Sequence, residues 1–287
     1  MALQYSLVHI DDVEPENMDA NHGWSITDFR LPISKRQGSS TTMFRARFMP
    51  GAIHKKHRHD NCDVIYYIIS GHGLAGAGSD RVDVRGGHYH YTPRGVEHWL
   101  FNLSETEPIE AVGIYDRAGS VEESCYVYMG DITEADLAMP RATRADQLKY
   151  PIVHDDDVVP EKVSKDQGWT QDRFCQPISR KHGSPTTWMY GYFMPGQIHK
   201  KHRHDKADEI CFILKGHGLA GVGPDRVEVR EGHFHYIPKG TEHWLANLSE
   251  TEPLLAPGVY VGAGGLDESG FVYTGDVTEE NLKQRTV

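Results

Sequence analysis

Of the 18 histidines in this 287-residue chain, twelve fall at matched positions in two segments of each half. They are His54, His57, His59, His88, His90 and His98 in the first half, and His199, His202, His204, His233, His235 and His243 in the second. Histidines that only fill a core do not fall into register in this way. His57 and His59 are two residues apart, as are His202 and His204, so on a strand each pair leaves the same face and can reach one ion. Neutral imidazole binds first-row divalent metals readily, and two imidazoles from one strand with one or two ligands from elsewhere make an open site. His54 and His199 precede their pairs by three residues, which on a regular strand is the opposite face, and solvent exposure is expected for both. His88 and His90, like His233 and His235, share one parity on a later strand. They are the candidate catalytic residues if they line the cavity as proton-transfer groups. Facing outward, they would instead pack at an interface, and the spacing leaves both readings open.

The elements that must position these side chains are set by a duplication. Sliding the sequence by 145 positions aligns Gly23-Trp24 with Gly168-Trp169, Phe48-Met49-Pro50-Gly51 with Phe193-Met194-Pro195-Gly196, and Glu97-His98-Trp99-Leu100 with Glu242-His243-Trp244-Leu245. Two domains are therefore expected, 1–140 and 146–287, with Met139-Pro140-Arg141-Ala142 reading as linker. In each half the β-branched and aromatic runs Thr41 to Met49 and Val64 to Ile69, with Thr186 to Met194 and Ile210 to Leu214 as counterparts, read as strands that stop at Gly or Pro. Gly71-His72-Gly73, Pro93-Arg94-Gly95 and their matches Gly216-His217-Gly218 and Pro238-Lys239-Gly240 supply turns. Short helices are expected only near Thr133 to Leu137 and Thr278 to Leu282, each with Thr as the cap. Many short strands between turns predict an all-β fold, a sandwich or barrel.

The spacing of these residues resembles the two signature motifs of the cupin superfamily. The second half carries Gly196, five residues, His202-Arg203-His204, four residues, Glu209, six residues and Gly216. Its later motif is Gly232, five residues, Pro238-Lys239-Gly240, two residues, His243, three residues and Asn247. The resemblance implies two tandem double-stranded β-helix (jelly-roll) barrels of six to eight strands each, with His202, His204, Glu209 and His243 converging on a metal. In the first half Gly51, His57, His59, Gly71, Gly87, Pro93, Gly95, His98 and Asn102 fit the same pattern, but Val64 stands where the second half has Glu209. A three-histidine site from His57, His59 and His98 is the simpler expectation. Asp63, next door, would reach the ion only through a shift of strand register.

Composition sets the remaining bounds. A net charge of −11 with a pI near 5.9 opposes phosphate backbones and anionic membrane surfaces, so neither nucleic acid nor membrane is an expected partner. The start of the chain carries no basic segment followed by an apolar run, and no stretch is long enough to span a bilayer, so a cytoplasmic location is expected. Cys62, Cys125, Cys175 and Cys211 occur singly and are expected to be reduced; Cys62 and Cys211 read as buried small hydrophobes. Trp99, Trp244, Tyr91 and Tyr236 read as core or barrel wall. Lys55, Lys56 and Arg58, with Lys200, Lys201 and Arg203, flank the histidines as solvated charges or as a lure for an anionic substrate.

Three imidazoles and a carboxylate leave two positions open on an octahedral ion. That suits a metal-dependent dioxygenase acting on a small oxygenated substrate, phenolic, diketone or carboxylic. The expected cofactor is one or two divalent ions per chain, Fe(II) ahead of Mn, Ni, Zn or Cu. A non-redox isomerase, lyase or hydrolase using the same ion as a Lewis acid is the alternative, and a small-ligand binding protein is a third. The expected partners are a small-molecule substrate and, in a homo-oligomer, further copies of the chain.

Overall fold

The computed structural model describes residues 3–19, 23–24 and 26–286. Two compact units are present, Val13–Asp157, called here the first barrel, and Met1–Asp12 together with Val158–Val287, the second. Among the described residues each is a pair of antiparallel sheets, one of six strands and one of five, so each has eleven strands rather than the six to eight that the motifs imply. In the first barrel the six-stranded sheet runs in the order 152–154, 88–92, 63–70, 109–116, 42–48, 28–33, and the five-stranded sheet in the order 126–130, 53–59, 98–102, 72–77, 80–85. The second barrel repeats this plan. Fold class and duplication thus agree with the sequence: all-β, two tandem jelly-roll barrels. Among the described residues no helix is long and apolar enough to cross a membrane.

The division between units differs from 1–140 and 146–287. The opening strand of the first repeat, Leu7–His9, pairs with His233–Ile237, with His9 opposite His233. Its counterpart Ile152–His154 pairs with His88–Thr92, with His154 opposite His88. Each strand covers the open edge of a sheet whose N–H and C=O groups would otherwise lack partners. Sequence duplication marks where a repeat begins; hydrogen bonding decides which barrel that beginning joins.

Apolar side chains between the sheets make the cores. In the first barrel Phe29, Phe44, Phe48, Ile68 and Ile109 cluster with Trp24, and in the second Trp169, Phe174, Met189 and Tyr260 do so. The two expected helices form as single turns, Glu134–Ala138 and Glu279–Lys283, capped by Thr133 and Thr278. Two motif residues act through the backbone. Gly216 has φ +84°, and a Cβ there would lie 2.4 Å from the Pro253 carbonyl oxygen. Asn247 is 1% exposed and donates from Nδ2 to the carbonyls of Phe193 (3.1 Å) and Glu252 (2.9 Å). Its Oδ1 accepts from the Ser249 N–H at 3.0 Å, which pins the loop after the strand carrying His243. Asn247→Ala strands these groups in the interior and is expected to cost about 2–4 kcal/mol, read as a fall of roughly 5–10 °C in the melting temperature of the second barrel by calorimetry.

Candidate metal centres

In the second barrel the ligand pair lies on Ile198–His204, a strand with neighbours on both sides in the five-stranded sheet. His243 enters from the adjacent strand, directly opposite His202. Glu209 comes from Asp208–Phe212 of the facing sheet. One donor atom from each of His202, His204, Glu209 and His243 lies within 4.8 Å of the others, and all four residues are buried. The first barrel brings His57, His59 and His98 together in the same way. The described geometry therefore assembles both sets expected from the sequence.

Hydrogen bonds fix the imidazole tautomers. The Nδ1–H of His202 donates to the Lys200 carbonyl (2.7 Å) and that of His243 to the Thr241 carbonyl (2.9 Å). Carbonyl oxygens only accept, so in each ring Nδ1 carries the proton and Nε2 presents a lone pair. His204 Nδ1 lies 2.8 Å from Ser269 Oγ, whose own proton goes to the Leu266 carbonyl (2.7 Å); the serine must therefore accept from the ring. His57, His98 and His59 repeat this with the Lys55 carbonyl, the Val96 carbonyl and Ser124 Oγ. The Nε2 atoms of His59 and His204 are buried with no hydrogen-bond partner among the described residues. Glu209 Oε2 stands 3.1 Å from His243 Nε2 and 3.2 Å from His204 Nε2. Lone pairs and a carboxylate held this close call for a cation among them, and the donor set suits a first-row divalent ion.

The electrostatics agree at Glu209, His57 and His202. Burial tends to raise the Glu209 pKa, but His243 and His204 outweigh it and hold the carboxylate well below its usual range. His243 is pushed down by burial, yet Glu209 leaves it raised overall. His57 and His202 lie well below the ordinary histidine value, from burial first and neighbouring histidines second. The carboxylate is thus held ionised, and His57 and His202 are held neutral, the states that bind metal.

Several expectations need correction. His54 and His199 are not on the solvent face. Between His54 and His57 the strand register slips, three residues facing two on the partner strand, and the same bulge separates His199 from His202. The extra residue reverses the parity, so His54 and His199 turn inward and stack on His57 and His202 with ring centroids 4.0 and 3.9 Å apart. The second group of histidines divides. His235 lines the second cavity, whereas His90 lies behind Tyr66, whose hydroxyl is 2.7 Å from His90 Nδ1. His88 and His233 are half-buried against the rings of His154 and His9. Asp63 cannot supply the missing carboxylate: its oxygens accept from Tyr91 Oη (2.9 Å) and the Arg94 N–H (2.9 Å), while Val64 faces the cavity. Cys62 is a buried hydrophobe as expected, and Cys211 lines the second cavity.

Both cavities are lined mostly by apolar side chains, and among the described residues neither has a lysine or arginine in its lining. Lys55, Lys56, Arg58, Lys200 and Arg203 pair instead with Asp131, Asp136, Asp60, Asp276 and Asp205. The sequence reading missed Ser124 and Ser269, which hold ligand imidazoles, although the 145-residue offset matches them. It also missed Gln171, which faces the second cavity from a segment without motif character.

The family model described as "Cupin domain" matches residues 44–115 and 189–259. An uncharacterized protein of Methanocaldococcus jannaschii is 38% identical over 47 residues, 16% of this chain and 38% of that protein. One of Aquifex aeolicus is 36% identical over 55 residues, 19% of this chain and 46% of that protein. The chain thus matches less than half the length of either relative. Among solved structures, a point mutant of Bacillus subtilis oxalate decarboxylase superimposes with a TM-score of 0.71 at 14% identity, covering 95% of this chain and 80% of that one. Oxalate decarboxylase of Lactobacillus farciminis, in a formate complex, gives 0.71 at 14%, covering 95% and 89%. The Bacillus subtilis enzyme has Mn(II) centres. At these identities the likeness establishes the fold.

Two outcomes are expected. Val64→Glu, which places a carboxylate where the second barrel has Glu209, should raise the divalent-metal affinity of the first barrel at least about tenfold by competition titration. In metal-free protein, burial holds His54, His90, His199 and His235 down to about 3 from an ordinary 6.5, so the unfolded chain binds protons that the folded chain refuses. Stability is then fully present above pH 6.5 and falls as pH drops toward 3. These two groups in each barrel alone contribute about 2.7 kcal/mol per pH unit below 6, and the other depressed histidines act in the same direction, so denaturant titrations should show at least that loss per barrel.

Proposed function

This chain is a two-domain member of the cupin superfamily, and we propose that it is a metal-dependent dioxygenase whose second barrel binds a compact, mostly apolar substrate through adjacent oxygens. The convergence of three buried imidazoles and the Glu209 carboxylate beside a mostly apolar cavity, whose lining among the described residues has no lysine or arginine, carries this reading. His202, His204, Glu209 and His243 are the proposed ligands, with Fe(II) the preferred ion ahead of Mn, Ni, Zn or Cu. His57, His59 and His98 are the proposed second set. Such an ion, when bound, would supply Lewis-acid and redox chemistry with room for a bidentate oxygen ligand, or for one substrate oxygen together with dioxygen.

The chain's own residues prepare that chemistry. Carbonyl and serine acceptors hold each imidazole in one orientation and one tautomer, so no reorganisation is needed when the site is used. Phe174, Met189, Phe193 and Ala256 exclude water around the bound skeleton. His235, on the cavity wall and held neutral by burial, is placed to hydrogen-bond a hydroxyl or enol of the substrate as it binds.

The fold likeness to oxalate decarboxylases supports a second reading, a non-redox carbon–carbon lyase. A dicarboxylate would need a cation for its second carboxylate, and among the described residues neither cavity lining supplies a lysine or arginine. A diketone, enol or catechol has no such requirement.

Metal content by plasma mass spectrometry on untagged protein, followed by dioxygen uptake after anaerobic Fe(II) loading, tests the proposal. Iron in the purified protein and uptake dependent on a catechol or diketone are expected, and His202→Ala should remove one metal equivalent and most of the uptake. Bound manganese, nickel or zinc with no uptake on any substrate would move the assignment to lyase or isomerase chemistry. Protein without metal that also fails to take it up would end the enzyme reading.

A further inference from the structure

The second cavity contains two polar atoms that the proposed metal site does not use. Gln171 is 8% exposed and its Oε1 is buried with no hydrogen-bond partner among the described residues; His199 is 9% exposed and its Nε2 is likewise unpartnered. Both residues line the cavity. They sit on neighbouring segments: Trp169 bridges His199, and the Asp172 N–H donates to Gln197 Oε1 at 2.8 Å. A buried polar group without a partner costs roughly 1–3 kcal/mol, a cost that persists in a fold when something else satisfies the group.

The first barrel sharpens the contrast. His54 matches His199, is half-buried and likewise has an Nε2 without a hydrogen-bond partner among the described residues, but Ile26 stands in the place of Gln171. The two cavities therefore differ in polarity at one wall, independently of the Glu209 and Val64 difference.

We infer that Gln171 and His199 form a polar subsite that reads a hydroxyl or amine carried by the substrate away from its metal-binding oxygens. The inference rests on the second barrel binding substrate at the His202, His204, Glu209 and His243 group. The substrate class is thereby narrowed to a chelating diketone, enol or catechol with one additional hydrogen-bonding substituent on an otherwise apolar skeleton. Gln171 is a specificity-determining residue: it selects the substituent, and the chelating end binds without it. A site built around a hydrogen bond discriminates strongly against an analogue that lacks the group, because its own polar atoms are then left unpaired.

Calorimetric titration of the Fe(II)-loaded full chain under argon with catechol, pyrogallol and hydroxyquinol tests this. Wild-type protein is expected to bind one of the two triols about tenfold more tightly than catechol. In Gln171→Met, close in volume but without the amide, that preference should fall to within about twofold while catechol affinity stays the same. Should the methionine variant fail to fold, Gln171→Ile, which copies the first barrel, serves instead. Equal binding of all three ligands by wild type, or a triol preference that survives the substitution, overturns the subsite and leaves the metal-site reading standing. Absence of catechol binding overturns both.

Discussion

The second barrel depends on holding three imidazole lone pairs and one carboxylate in a space from which water is excluded. Each group alone would be costly to bury. Together they are tolerable because every imidazole gives its Nδ1 proton to a fixed acceptor and leaves only Nε2 facing inward. The rest of the structure follows from that demand. One strand must present His202 and His204, its neighbour must bring His243 into direct register, and the facing sheet must deliver Glu209 across the core. The loop carrying Ser269 is tied to the same requirement, since its hydroxyl is committed to the Leu266 carbonyl and can only accept from His204.

The two barrels keep this scaffold and differ in what they place around it. Replacing Glu209 by Val64 removes the single negative charge from the first centre, so a dication there would need its charge balanced by something other than the protein. Replacing Cys211 by Tyr66 fills the cavity and ties up His90, whereas His235 remains on the cavity wall. Replacing Gln171 by Ile26 makes the wall apolar. The first two changes lie on one strand, Asp208–Phe212 and its counterpart Asp63–Ser70, and the third on a separate segment, yet all act on one space. The first cavity is the more apolar and has no charged residue in its described lining, and the second is the one equipped to read polar features of a ligand. Since the backbone geometry is common to both, the divergence is one of side-chain chemistry on a shared frame.

A bulge one residue long has a large effect on the inner wall. The slip between His54 and His57, repeated between His199 and His202, turns a histidine from the solvent face onto the face of a ligand ring. Bulges of this kind re-aim side chains beside functional sites in many sheets, and the cost of breaking the ladder is local. Here the result is a further imidazole in each cavity, stacked on a ligand ring.

The sequence by itself determined the duplication, the all-β class, the strands, the capped helical turns and the seven residues that gather in the two centres. These were legible because period-two alternation, Gly and Pro punctuation and His-x-His spacing are local patterns with direct geometric consequences. Tertiary structure alone decided the rest. Register along the strand of His54 and His199 depends on hydrogen bonds to a partner some forty residues away, so no local parity rule could find the bulge. Whether Asp63 or Val64 faces the cavity rested on the same kind of pairing, as did the separation of His235 from His90 by a tyrosine on a neighbouring strand. The exchange of the opening strands Leu7–His9 and Ile152–His154 is fixed by which unpaired sheet edge each one completes. A chain specifies its side chains in order, but which of them meet is settled by long-range pairing, and that information is not carried by any short segment.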